Sequence, residues 1–213
     1  MSPNASDNYQ DYLKLKDAGT LGDDISYELW EKLKADSMAL EASLENSDEF
    51  TLVYDSTDAK APTAYRLTAG DIFVTNKSSL GGLTGHAGIA ISSLYIIHIE
   101  GPGHHPATIK LSDWNEIYSI GGRWTRIYRH NSAGTALKAG QWAERTYKNS
   151  NASYVINADL SSTSKTYCSK IVWQAYHYGP SSPVSTTPVS GIVLPYSLPD
   201  LIRNVRLVKT YQN

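Results

Sequence analysis

One cysteine, two phenylalanines and two methionines are all that this chain of 213 residues holds of those types. The lone cysteine, Cys168, can form no internal disulfide, and because cytosolic and Gram-positive-type secreted chains both lack bridges, the count leaves compartment open. No stretch approaches the roughly 18 apolar residues that read as a membrane span, so no transmembrane segment is expected. "MSPNASDNYQDYLKLK" lacks the apolar core of a signal peptide, which predicts a protein that stays inside or one whose leader was cut away. An excess of one charge is missing too: 19 Lys and Arg stand against 21 Asp and Glu. That balance argues against nucleic acid and against a basic membrane-binding face. There is no G-x-S-x-G for a serine hydrolase, and no HExxH or cysteine pair beside His104 and His105 for a metal. "LGGLTGH" at 80–86 lacks the Lys-Ser or Lys-Thr of a phosphate loop. Neither metal nor cofactor is expected.

What remains is an ordinary globular composition, 41% hydrophobic, with fifteen tyrosines and five tryptophans. From Asp23 to Glu45 the residues Leu29, Trp30, Leu33, Leu40 and Leu44 recur at spacings of three and four, behind Asp23, Asp24 and Ser26 as start signals. Residues 1–50 therefore read as a helical arm and 51–213 as the functional domain. In the domain the pattern changes to short β-rich runs, "FTLVY", "DIFVT", "HAGIAI", "YIIHIE" and "RWTRIYRH", bounded by Gly, Ser, Asn or Pro. Helices are expected at about 134–148 and 168–178, a long strap over 181–199, and a last strand at 205–211. Grouped strands with helices around them predict an α+β fold.

"HAGIAISSLYIIHIE" predicts a hairpin in which Ile91 pairs with Tyr95 and His86 lies across from Glu100. Alternation then puts His86, Gly88, Ala90, Ile96, His98 and Glu100 on one face and Ile89, Ile91, Ile97 and Ile99 on the other. A His opposite a carboxylate is within reach of a hydrogen bond that fixes the imidazole tautomer. His98 shares that face and competes with His86 for the role of base.

Cys168 falls in the first turn of a helix whose stripe is Ile171, Val172, Ala175 and Tyr176. On its residues alone it reads as small apolar filler or as a nucleophile. At a helix start the free N–H groups and the dipole hold a thiol below its usual pKa of about 8.5. Thiolate, base and orienting acid make a complete set for acyl transfer, with the N–H of Cys168 and the hydroxyl of Tyr167 as oxyanion donors. Gly85 shapes the turn before the His strand and forms a wall of the cleft.

The strings "GDIFVT", "HAGIAI", "IIHIEG" and "YCSKIVWQAY", in that order, resemble the permuted NlpC/P60 papain-like hydrolases, YiiX-like and YycO-like members among them. The resemblance spans about residues 65–200. It implies a circularly permuted papain-like fold, with Cys168 as nucleophile, His86 as base and Glu100 as orienting acid. It also implies a cysteine peptidase or amidase acting on a peptide or N-acyl amide, bacterial peptidoglycan included. The alternatives are an acyltransferase or lipid acylhydrolase, and an inactive binding module lined by Trp114, Trp124 and Tyr95.

Overall fold

The computed structural model describes residues 5–46, 65–77 and 80–212. Two helices open it, α1 (Ala5–Asp17) and α2 (Tyr27–Glu45). Helix α2 starts where the sequence signals it: the Ser26 hydroxyl accepts the Leu29 N–H at 3.2 Å, a cap worth about 1 kcal/mol. Trp30, Leu33 and Ser37, spaced at three and four, are its buried face. The strand expected at "FTLVY" lies outside the described residues.

Strands β1 (Ile72–Thr75), β2 (His86–Ala90), β3 (Tyr95–His98) and β4 (Ala107–Lys110) lead into α3 (Leu111–Tyr118) and β5 (Trp124–His130). Helix α4 (Ala133–Tyr147), the short strands β6 (Ser153–Tyr154) and β7 (Lys165–Thr166), and α5 (Cys168–Tyr178) follow. A 3-10 turn (Pro195–Ser197), α6 (Leu198–Leu201) and β8 (Val205–Gln212) close the chain. Six strands make one antiparallel sheet in the order β4-β3-β2-β1-β5-β8, while β6 and β7 pair in parallel. The α+β class and the antiparallel sheet are as expected. Helix α3 and strand β4 were not: "ATIK" is four residues long and largely exposed, and it has no apolar alternation to announce it.

The hairpin register is the one the sequence predicts, with Ile89 opposite Ile97, Ala90 opposite Ile96, and the Ile91 N–H bonded to Tyr95 O at 2.9 Å. Its two faces are also as predicted. Ala87, Ile89, Ile91, Ile97 and Ile99 join the main core with α4 and α5, whereas Ala90 and Ile96 meet Trp114, Tyr118, Phe73 and Ile127 on the other side. Tyr12, Ile25, Trp30 and Leu33 of the N-terminal arm belong to the same core as Cys168.

Helix α5 departs from the expected stripe, because every residue from Cys168 to Tyr176 is buried. A helix segment buried on every side must satisfy its polar side chains internally. Gln174 Nε2 donates to Leu160 O and Ser162 O, and Lys170 Nζ to Asp159 O and Lys165 O. Burial lowers the Lys170 pKa to about 8. These bonds tie the loop before Cys168 to the helix that Cys168 begins.

Candidate active site

Cys168, His86, Glu100, Tyr167 and Gly85, the five residues singled out in the sequence, all line one cavity. Ser169 beside the cysteine, Leu80, Leu83, Tyr154, Ile156, Ile192, Val193 and Pro195 complete its wall. Its free volume is about 20 Å³, enough for roughly one water molecule.

Cys168 opens α5 behind Tyr167, whose extended backbone makes it the N-cap. The first intrahelical bond runs from Ile171 N–H to Tyr167 O at 3.1 Å. The N–H groups of Cys168, Ser169 and Lys170 therefore precede the helical ladder and present the positive end of the helix. Despite this, burial pushes the thiol above its usual pKa, against opposing hydrogen bonds from the Ala87 and Ser169 backbones. The expected depressed thiol is thus corrected: at 5% exposure, lost hydration outweighs the helix end. The bond from Ala87, the residue after His86, brings the sulfur to the start of β2.

His86 opens β2 on the face shared with His98, and its ring stacks on Trp114 and Tyr118 at centroid distances of 5.5 and 5.0 Å. Gly88 makes room for this floor, since a Cβ there would lie 3.0 Å from the Trp114 ring. Trp114 and Trp124 are buried in the core and Tyr95 lines a separate surface pocket, so the three do not share one cleft as the binding-module alternative expected. Burial, then His98, then Lys77 drive the His86 pKa well below its usual value. Both shifts act in the same sense, favouring the uncharged thiol and the uncharged imidazole.

The ring nitrogen Nε2 of His86 meets His98 Nδ1 at 3.0 Å. In the tautomer where His86 Nε2–H donates to His98, Nδ1 of His86 carries the free lone pair. Glu100, expected across from His86, lies beyond the paired residues of the hairpin, which end at Ile89 and Ile97. Its half-exposed carboxylate stands 3.6 Å from His104 Nδ1 at the cavity wall. The sequence put His98 on the same face as His86 and cast it as a rival base; that shared face was the signal for the contact between them.

Both neighbours of Cys168 hold the strap. The Tyr167 hydroxyl accepts the Val193 N–H at 3.0 Å, and Ser169 Oγ donates to Val193 O at 2.7 Å. Tyr167, expected as an oxyanion donor, accepts here and so fixes the segment that covers the thiol while its own O–H stays available to donate. On the opposite wall Gly85 has φ of +92°, and a Cβ there would stand 2.8 Å from the Tyr196 ring. Ser37 of α2 holds the neighbouring Thr84 by its carbonyl at 3.0 Å and its hydroxyl at 2.9 Å. Gly85→Ala is expected to lower stability by roughly 1–3 kcal/mol through strain and collision, read by urea denaturation; an unchanged midpoint would show that the wall tolerates a side chain.

Among the described residues no group of three or more His, Cys, Asp or Glu side chains is arranged to hold a metal ion, and no helix is long and apolar enough to cross a membrane. An uncharacterised 30.3 kDa protein of Bacillus thuringiensis is 37% identical over 158 residues, which make up 69% of this chain and 58% of that protein. The chain thus spans less than two thirds of that relative's length. The crystal structure of the metalloprotein YiiX from Escherichia coli O157:H7 superposes with a TM-score of 0.50 at 16% identity, over 70% of this chain and all of that one. At that identity the likeness is one of fold, and it is the YiiX-like fold that the four motifs led one to expect. A family model described as lipoprotein N-acylation protein LnsA-like matches residues 38–211. With most of its length inside that match, the chain belongs to the LnsA-like family of lipoprotein N-acylation proteins.

Proposed function

We propose that the protein is a cysteine acyltransferase that carries an acyl group as a thioester on Cys168 and passes it to an amine. The carrying observation is one small cavity lined by both Cys168, at a helix N-terminus, and His86, whose Nε2 meets His98 Nδ1 at 3.0 Å. The motif resemblance to the permuted NlpC/P60 hydrolases supports the same nucleophile and base. His86 Nδ1 takes the thiol proton as sulfur attacks the acyl carbonyl of an ester; the S–C bond forms, the C–O bond breaks, and the leaving alkoxide takes the proton from His86. An amine then attacks the thioester, the C–S bond breaks, and the amine's proton returns through His86 to sulfur. The first-turn N–H groups of α5 stabilise the oxyanion of both steps.

The family description supports an amine acceptor, and the apolar wall of Leu80, Leu83, Ile156 and Ile192 supports an acyl group over a cell-wall peptide. Water in place of the amine gives the hydrolytic reading. The test is intact-mass detection of a hydroxylamine-labile adduct on Cys168 after incubation with an acyl ester, followed by a chase with an amine-bearing peptide. Amide product supports transfer, free acid alone supports hydrolysis, and absence of any adduct overturns both.

In this reading His98 positions His86 and Glu100 does not. His98→Ala is expected to lower kcat about 100-fold or more by freeing the tautomer and ring of His86, with partial recovery in His98→Asn, which keeps an acceptor. Glu100→Gln is expected to stay within about tenfold of wild type, since a rim carboxylate is well solvated. The reverse ranking in steady-state kinetics would restore Glu100 as the orienting acid.

A further inference from the structure

We infer that the groove between α2 and the strap at 188–197 holds the alkyl chain of the acyl donor; this rests on the acyl-transfer reading and locates its substrate. The groove encloses about 530 Å³, within the range of small-molecule sites. Leu29, Ala39 and Leu40 of α2 face Val189, Ile192 and Leu194 of the strap across it. Ile192 also lines the Cys168 cavity, so one buried side chain is the wall common to groove and nucleophile. Val189 stands fully exposed at the groove, an apolar side chain packed on nothing.

The polar groups of the lining are few, and the charged pair of Lys32 and Asp36 stands at the solvent-exposed rim. Ser190 Oγ donates to Ile192 O and accepts the Ile192 N–H, both at 3.2 Å. Ser197 Oγ donates to Leu194 O at 2.8 Å, and Lys32 Nζ pairs with Asp36 at 2.5 Å. These side chains already bond within the strap or within the helix. A peptide laid in the groove would bring backbone N–H and C=O groups that need partners there. An alkyl chain needs none, and each methylene it buries tightens binding about fourfold. A chain lying here brings its carbonyl end to Ile192, the side chain that separates the groove from the thiol, so transfer requires that side chain to swing aside.

The strap also explains the small Cys168 cavity. Tyr167 and Ser169 clamp Val193 from the two sides of the nucleophile, which seats Ile192 between groove and sulfur. The N-terminal arm thereby acquires a role, because α2 supplies the second wall.

Two substitutions at exposed groove positions test this: Ala39→Phe, which fills the groove, and Val189→Asp, which charges its rim. One readout is thioester loading of Cys168 from an acyl ester series of two to sixteen carbons; the other is fluorescence titration with cis-parinaric acid on a Cys168→Ala background. The ratio of long-chain to short-chain loading is expected to fall at least tenfold in Ala39→Phe, with a matching loss of parinarate affinity and a smaller loss in Val189→Asp. If thioester forms but neither the chain-length profile nor parinarate binding responds to either substitution, the groove assignment is overturned while acyl transfer stands. If no thioester forms with any ester yet parinarate binding still falls in Ala39→Phe, the groove stands and the acyl-transfer reading falls.

Discussion

Cys168→Ala is expected to form no acyl adduct and to lose turnover by about 10⁴-fold or more, because the sulfur that would carry the thioester is gone and Ser169 beside it holds its hydroxyl on Val193 O. His86→Ala should lose nearly as much, since in the proposed mechanism nucleophile and base act as one unit and their losses do not add. The double variant is then no worse than either alone. Burial sharpens the expectation. With the thiol raised and the imidazole lowered by burial, Cys168 should alkylate slowly until the pH passes the ordinary cysteine range. Burst kinetics with an activated ester and iodoacetamide rates across pH check both. Turnover that persists in Cys168→Ala, with the fold intact by circular dichroism, would falsify the assignment of the nucleophile.

Between pH 6.5 and 4 the protein is expected to lose about 3 kcal/mol of stability from His98 alone. Burial lowers the His98 pKa from 6.5 to about 4, with the charges of His104 and Lys77 adding to the shift. The unfolded chain therefore takes up a proton near pH 6.5 that the folded chain refuses until about pH 4. Stability present above 6.5 is lost progressively as pH falls and levels off below 4, at about 1.4 kcal/mol for each pH unit. His86 is displaced in the same direction by its own burial, by His98 and by Lys77, and adds to the loss. Against a total of about 5–15 kcal/mol for a typical domain, this is a large fraction. Urea denaturation at pH 7.5, 6, 5 and 4 measures it. The double variant His86→Gln, His98→Gln should flatten the profile, and an equally steep profile in that variant would place the acid lability elsewhere.

Much of the site was legible because its parts are local. The Ser-Ser-Leu turn and strict alternation fixed the hairpin, and one residue of slip would have moved every isoleucine to the wrong face. The start of α5 at Cys168 was legible from the polar run before it and the apolar stripe after it. Less of the rest was local. Trp114 and Tyr118 come from α3, a two-turn helix, yet they form the floor on which His86 rests. The thiol's shift went the other way from the sequence expectation because the helix end is visible in sequence and the depth of burial is not.

By itself the sequence determined the α+β class, the hairpin register and the identities of the nucleophile and base candidates, since side-chain periodicity and turn chemistry act over a few residues. Only the tertiary structure decided that His98 rather than Glu100 meets His86, that Val193 is clamped on both sides of the thiol, and that α2 and the strap enclose an apolar groove. Those contacts join segments from 12 to well over 100 residues apart, such as the strap and α2, and no local period encodes which distant chain will exclude water from a given side chain.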